Sequence, residues 1–176
     1  MANTSYLIEN ELGRLRTGPQ TSEKPSGAGI VRFVVRCPFE VNEVLSRARS
    51  VLEAVDVATL AGWPENKKFV PIMPAWFIAV CCPPPSPEDA QDWLAWWKSL
   101  PLAEQAKAEM EKDWDLENWL YWMEPSQRQW FWWDARVLEH HDHIALAVEV
   151  QSWPFPWGAL RWLFKAAGAS AVEPEE

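Results

Sequence analysis

Two stretches decide the fold: Arg128-Gln-Trp-Phe-Trp-Trp-Asp-Ala-Arg-Val-Leu138 and His143-Ile-Ala-Leu-Ala-Val-Glu-Val-Gln151, joined by Glu139-His-His-Asp142. Both are rich in aromatic and β-branched residues, and the short polar joint between them fits a hairpin. In the second stretch Ile144, Leu146, Val148 and Val150 lie two apart, so they share one face of a strand. Ala145, Ala147 and Glu149 occupy the other face. The small side chains there leave room for Trp130, Trp132 or Trp133 of the adjacent strand.

Just upstream, Glu124-Pro-Ser-Gln127 places proline at the second position of a type I turn. The strand-like run Asn118 to Met123 before it extends the hairpin into a β-meander. Downstream, Pro156 to Ala167 predicts a helix with Leu160, Leu163 and Phe164 on one side and Gly168 as its stop.

Nearer the N-terminus, Ile30 to Arg36 reads as a strand. From Glu40 to Val55 the apolar positions Val41, Val44, Leu45, Ala48, Val51, Leu52 and Val55 repeat at helical spacing. Ala75 to Cys82 is apolar throughout and is bordered by Pro74 and Pro83-Pro-Pro85, which fits a strand buried on both faces. Ser86-Pro-Glu-Asp89 has the chemistry of a helix start: a capping hydroxyl, proline at the first helical position and acids at the positive end of the dipole. Trp93, Trp96, Trp97 and Leu100 follow at helical spacing. Pro101 interrupts, and a more polar helix continues from Leu102 to Asp113.

The expected fold is α+β: a mixed or antiparallel sheet of about five or six strands with helices mainly on one face, ending in a β-meander and a helix. Residues 29–168 form the expected single domain. Residues 1–28, polar and rich in breakers, are expected to be a flexible arm with at most a short strand or helical turn at 5–13. Residues 169–176 are expected to be a frayed acidic tail.

A chain of 176 residues is the size of one domain and can bury a real core. Its 25 acidic and 16 basic residues give a net charge of −9, which argues against sequence-independent binding to nucleic acid or an anionic membrane. Cys37, Cys81 and Cys82 make a poor disulfide framework and read as reduced thiols, which suits the cytoplasm. The first fifteen residues hold no apolar segment of signal-peptide type, and the longest apolar run, Pro74 to Pro85, is too short to span a bilayer.

Nine of the fourteen tryptophans lie between Trp93 and Trp133. Large aromatic rings serve either a core or a binding surface. The same region is the most acidic: from Pro83 to Asp134 there are 11 acids against 4 bases, a net charge of −7. Such acids either solvate a helix face or steer and hold a basic partner. The partner-binding candidates are Trp96, Trp97, Asp113, Asp115, Glu117, Trp119 and Trp122.

All three histidines fall in His140-His-Asp-His143, where a polar turn is expected rather than a metal site. No phosphate loop, dinucleotide fingerprint, nucleophile elbow or paired C-x-x-C occurs, so no cofactor and no catalytic activity are expected. Small size, acidity and aromatic anchors point to a protein-binding module, specifically an immunity or inhibitor protein neutralising a bacterial toxin such as a basic nuclease. A small-molecule-binding protein or enzyme with a Trp-lined pocket is the alternative. A structural subunit of a larger assembly is a further one.

Overall fold

The computed structural model describes residues 4–139 and 142–176. In chain order the elements are α1 (Thr4–Thr17), β1 (Gly29–Arg36), α2 (Val41–Leu60), α3 (Asn66–Phe69), α4 (Ala75–Val80), α5 (Pro87–Ser99), α6 (Leu102–Glu111), α7 (Leu116–Met123), β2 (Trp130–Val137), β3 (His143–Val150), α8 (Gly158–Ala167) and β4 (Ala171–Pro174). The strands form one antiparallel sheet in the order β2-β3-β1-β4. The class is α+β, as expected. The sheet has four strands rather than five or six: two segments read as strands are helices, and β4 forms in the segment expected to be a tail.

The first is α7. Leu116, Trp119, Leu120 and Met123 recur at the spacing of one helical face. The last three are buried, and Asp115 caps the helix by accepting a hydrogen bond from the Asn118 N–H at 2.8 Å. The expected meander therefore reduces to the β2–β3 hairpin. The second is α4, where the Pro74 carbonyl accepts bonds from the N–H groups of Phe77 and Ile78. A short, wholly apolar run carries no periodicity to separate helix from strand.

The hairpin has the expected strands, but its indoles are placed differently. Trp130 and Trp132 pair with Val150 and Val148, so both face the core. There the Trp132 ring stacks on Phe164 of α8, with centroids 6.1 Å apart. A bulge at Trp133 then resets the register, and Ala147 and Ala145 face Asp134 and Arg136 rather than tryptophan. The expected turn at His140 and His141 lies outside the described residues.

α2 and α8 cover the core face of the sheet. The α2 stripe from Val41 to Val55 is buried as its spacing predicts, and the helix runs on to Leu60. α8 buries seven of its ten residues and stops at Gly168, whose φ of 117° only glycine adopts without strain.

Residues 4–28 and 169–174 belong to the packed structure, where a flexible arm and a frayed tail are expected from the sequence. α1 lies along the outer edge of β2. Its Glu11 carboxylate accepts the Trp132 N–H at 2.5 Å, and its Arg14 Nε donates to the Trp132 carbonyl at 2.7 Å. Two side chains thereby satisfy an edge that would otherwise present unpaired backbone groups. Leu7 and Ile8 cover Phe131 on the face away from the main core.

Residues 18–28 run as an irregular strap, tied down by Glu149. Its carboxylate accepts from the Ser26 N–H, the Ser26 hydroxyl and the Gly27 N–H at 2.5, 2.9 and 3.1 Å. Gly27 passes so close to β3 that a Cβ would lie 2.2 Å from the Val150 carbonyl oxygen. At the other end β4 pairs with Phe33–Arg36 and buries Val172.

The ion cluster beneath α1 is buried. Arg128 donates to Glu11 at 2.6 Å, to Asp56 at 3.0 Å and to the Trp130 carbonyl at 3.1 Å, and all three charged side chains are fully inaccessible. Burial, and then the neighbouring Glu11 carboxylate, push Asp56 well above the usual carboxylate range, against the opposing pull of Arg128. Among the described residues no helix is long and apolar enough to cross a membrane.

Candidate functional site

The acidic, Trp-rich segment folds into a helical hairpin, α5–α6. Its start follows the sequence: the Ser86 hydroxyl accepts the Asp89 N–H at 3.1 Å and Pro87 opens the helix. Pro101 opens α6, its carbonyl accepting from the N–H groups of Glu104 and Gln105. The two helices are clamped where Trp97 Nε1 donates to the Gln105 carbonyl at 3.1 Å and Gln105 Nε2 donates to the Leu100 carbonyl at 3.2 Å.

Neither helix has a single buried residue. Of the Trp93–Leu100 stripe, Trp93 and Trp97 are half-buried beside α6 and stack at 6.3 Å instead of entering the domain core. Leu94, Trp96 and Met110 are left exposed, and Leu102 is 83% exposed. Between Pro87 and Glu111 there are six acids and two lysines, a net charge of −4.

Under the hairpin, between α6, α7 and the Phe155–Arg161 segment, is a cleft of about 500 Å³. Trp93, Trp114, Trp122, Trp157 and Phe155 form its walls, and Glu109, Lys112, Asn118 and Arg161 supply its polar groups. The walls are held from behind. Trp157 packs on Phe33 at 5.2 Å, and Trp122 meets Tyr121 edge-on at 5.3 Å. Trp114 lies across Gly158 so closely that a Cβ there would be 2.7 Å from its ring. Lys112 sits over the Trp93 ring at 4.0 Å. A second cleft of about 580 Å³ opens on the far side of α6 towards β4, and Arg161 lines both.

The seven candidate residues separate into three groups. Trp96 is exposed and Trp97 half-buried on the hairpin, while Trp122 reaches the cleft. Asp113, Asp115 and Glu117 lie at the root of the hairpin: Asp113 pairs with Lys165 at 2.8 Å, Asp115 caps α7, and Glu117 is exposed in the first turn of that helix. Trp119 is fully buried, its Nε1 donating to the Ala159 carbonyl at 3.0 Å, so it offers no surface to a partner. Sequence reasoning missed Trp157 and Arg161, which arrive from the loop before α8 and from α8 itself. Nothing local in Trp153-Pro-Phe-Pro-Trp157 distinguishes a cleft wall from core.

The thiols are poorly suited to nucleophilic work. Burial, helped by the Asp142 carboxylate, raises Cys37 to about 11, and burial raises Cys81 to about 11. Among the described residues no group of three or more His, Cys, Asp or Glu side chains is arranged to hold a metal ion. No protein-family model matches the chain, and no curated protein or solved structure matches it either.

Proposed function

We propose that this chain is a protein-binding module whose contact element is the α5–α6 hairpin, and that its partner is a basic protein. One observation carries this: 23 helical residues, 13 in α5 and 10 in α6, stand on the domain without fully burying one side chain, while exposing apolar groups amid net negative charge. Helices that bury so little within their own chain are poorly supported by propensity alone, and a partner supplies the missing burial.

Aromatic and apolar anchors ringed by acids suit a basic surface, with the charges raising the encounter rate and Trp96 slowing departure. Within this class we favour an immunity or inhibitor protein of a bacterial toxin acting in the cytoplasm. There the acidic hairpin would occupy the groove a basic nuclease uses for phosphate.

The test is co-expression with the product of the adjacent reading frame, followed by binding kinetics across a salt series. The association rate should fall by roughly tenfold or more as salt rises, and Trp96→Ala should mainly raise the dissociation rate. Failure to co-purify, or an association rate indifferent to salt, would count against this function.

The Trp-walled cleft favours a second function, small-molecule binding. Its volume falls within the range of about 300–1,000 Å³ usual for such sites, and its mixture of apolar walls and a few polar groups is typical of them.

A further inference from the structure

Arg161 is the half-buried charge of the cleft. It projects from the first turns of α8. Among the described residues its guanidinium makes no hydrogen bond or ion pair, although Glu111 and Asp113 act on it at longer range. Asp113 is already bound to Lys165 at 2.8 Å, and Glu111 lies 3.8 Å from Lys107. Among the described residues, nearby Trp93, Trp114, Trp122 and Trp157 also find no acceptor for their indole N–H groups, whereas Trp97 and Trp119 do. The cleft thus offers aromatic faces and unused donors.

Its own charges are Lys112 and Arg161 against Glu109, an excess of cation in a chain that is acidic overall. A cationic ligand would meet both fixed cations, and Lys112 already occupies the face of Trp93 that would attract it. A flat apolar body among the indoles, carrying one carboxylate, would satisfy the guanidinium. Arg matches that group by two parallel hydrogen bonds.

We infer that the cleft is a binding site for an aromatic carboxylic acid, with the ring system between Trp93, Trp114, Trp122 and Trp157 and the carboxylate on Arg161. This rests on the small-molecule function of the cleft and not on the protein partner of the hairpin.

Titration calorimetry on the full chain with three isosteric probes tests it: naphthalene-2-carboxylate, 2-naphthalenemethanol and 2-(aminomethyl)naphthalene. The carboxylate should bind about tenfold or more tighter than the alcohol, as a charge-assisted bond implies, and the amine weakest. Arg161→Gln, which breaks no internal bond, should abolish the gap between carboxylate and alcohol while leaving the alcohol's affinity as it was. Unchanged circular dichroism and melting temperature would certify its fold. If the alcohol binds as well as the carboxylate, or the gap survives in Arg161→Gln, the anion site is overturned while the apolar cleft stands. If none of the three binds, both fall.

Discussion

Replacing Arg128 by methionine tests the buried ion cluster most directly. The substitution removes the donors to Glu11, Asp56 and the Trp130 carbonyl together, at 2.6, 3.0 and 3.1 Å, and leaves two inaccessible carboxyl groups without their cation. Breaking a buried pair by deleting one partner costs about 3–5 kcal/mol, because the desolvated charge left behind has no compensation. For a chain of this length each kcal/mol lowers the melting temperature by roughly 2–4 °C, so the expected loss is about 6–20 °C.

The deficit should depend on pH. Without the guanidinium, Asp56 protonates still more readily, so acidification from pH 8 to pH 5 should recover part of the loss. The companion variant Asp56→Asn separates charge from shape. Asp56 titrates above its unfolded value, so its contribution is fully present below the unfolded pKa and is lost as pH rises through the folded one. Asp56→Asn cannot titrate. It should equal or exceed the parent in stability at pH 8, with the advantage shrinking as pH falls. The assay is thermal and urea unfolding followed by circular dichroism at each pH. An Arg128→Met deficit below about 1 kcal/mol, unchanged between pH 8 and pH 5, would refute the account, since a real buried pair costs about 3–5.

Two further outcomes follow from local geometry. Gly27→Ala would place a Cβ 2.2 Å from the Val150 carbonyl oxygen, so the strap must lift off β3; about 1–3 kcal/mol of stability should be lost, and limited proteolysis should cut first between residues 18 and 28. With thiols held near 11, Cys37 and Cys81 should resist iodoacetamide at pH 8 in the folded chain and react on unfolding, which peptide mass spectrometry after timed labelling would read; rapid folded-state labelling of Cys37 would contradict its burial.

The elements legible in the sequence are those with a strong period or explicit punctuation. α2 carries a seven-position stripe, α5 a serine cap with proline behind it, and α8 a glycine stop; each forms where its residues predict. α7 was equally legible, because Leu116, Trp119, Leu120 and Met123 lie on one helical face, yet aromatic density in Trp119-Leu-Tyr-Trp122 mimics strand propensity and masks the period. α1 is only partly legible. Leu7, Ile8 and Leu15 share a helical face, but Glu11 and Arg14 between them are polar, and their role exists only once β2 lies beside them. The same holds for the cleft. Trp93 and Trp122 lie in the segment whose composition flagged it, whereas Trp157 and Arg161 come from another part of the chain and join them only through packing.

The seal along β2 also constrains the order in which the chain can be assembled. α1 is synthesised before β1–β4, yet the residues that hold it are far downstream: Glu11 and Arg14 bond to Trp132 across 121 and 118 positions, and Glu11 to Arg128 across 117. Until β2 has emerged, α2 is the main element the helix packs on. Closing so long a loop is entropically slow. In the interval the indole-rich strand, newly exposed, has an open flank. Proper maturation of this chain is therefore a race between docking α1 and pairing that flank with a neighbour, and residues 4–17 act as a built-in guard against the second course.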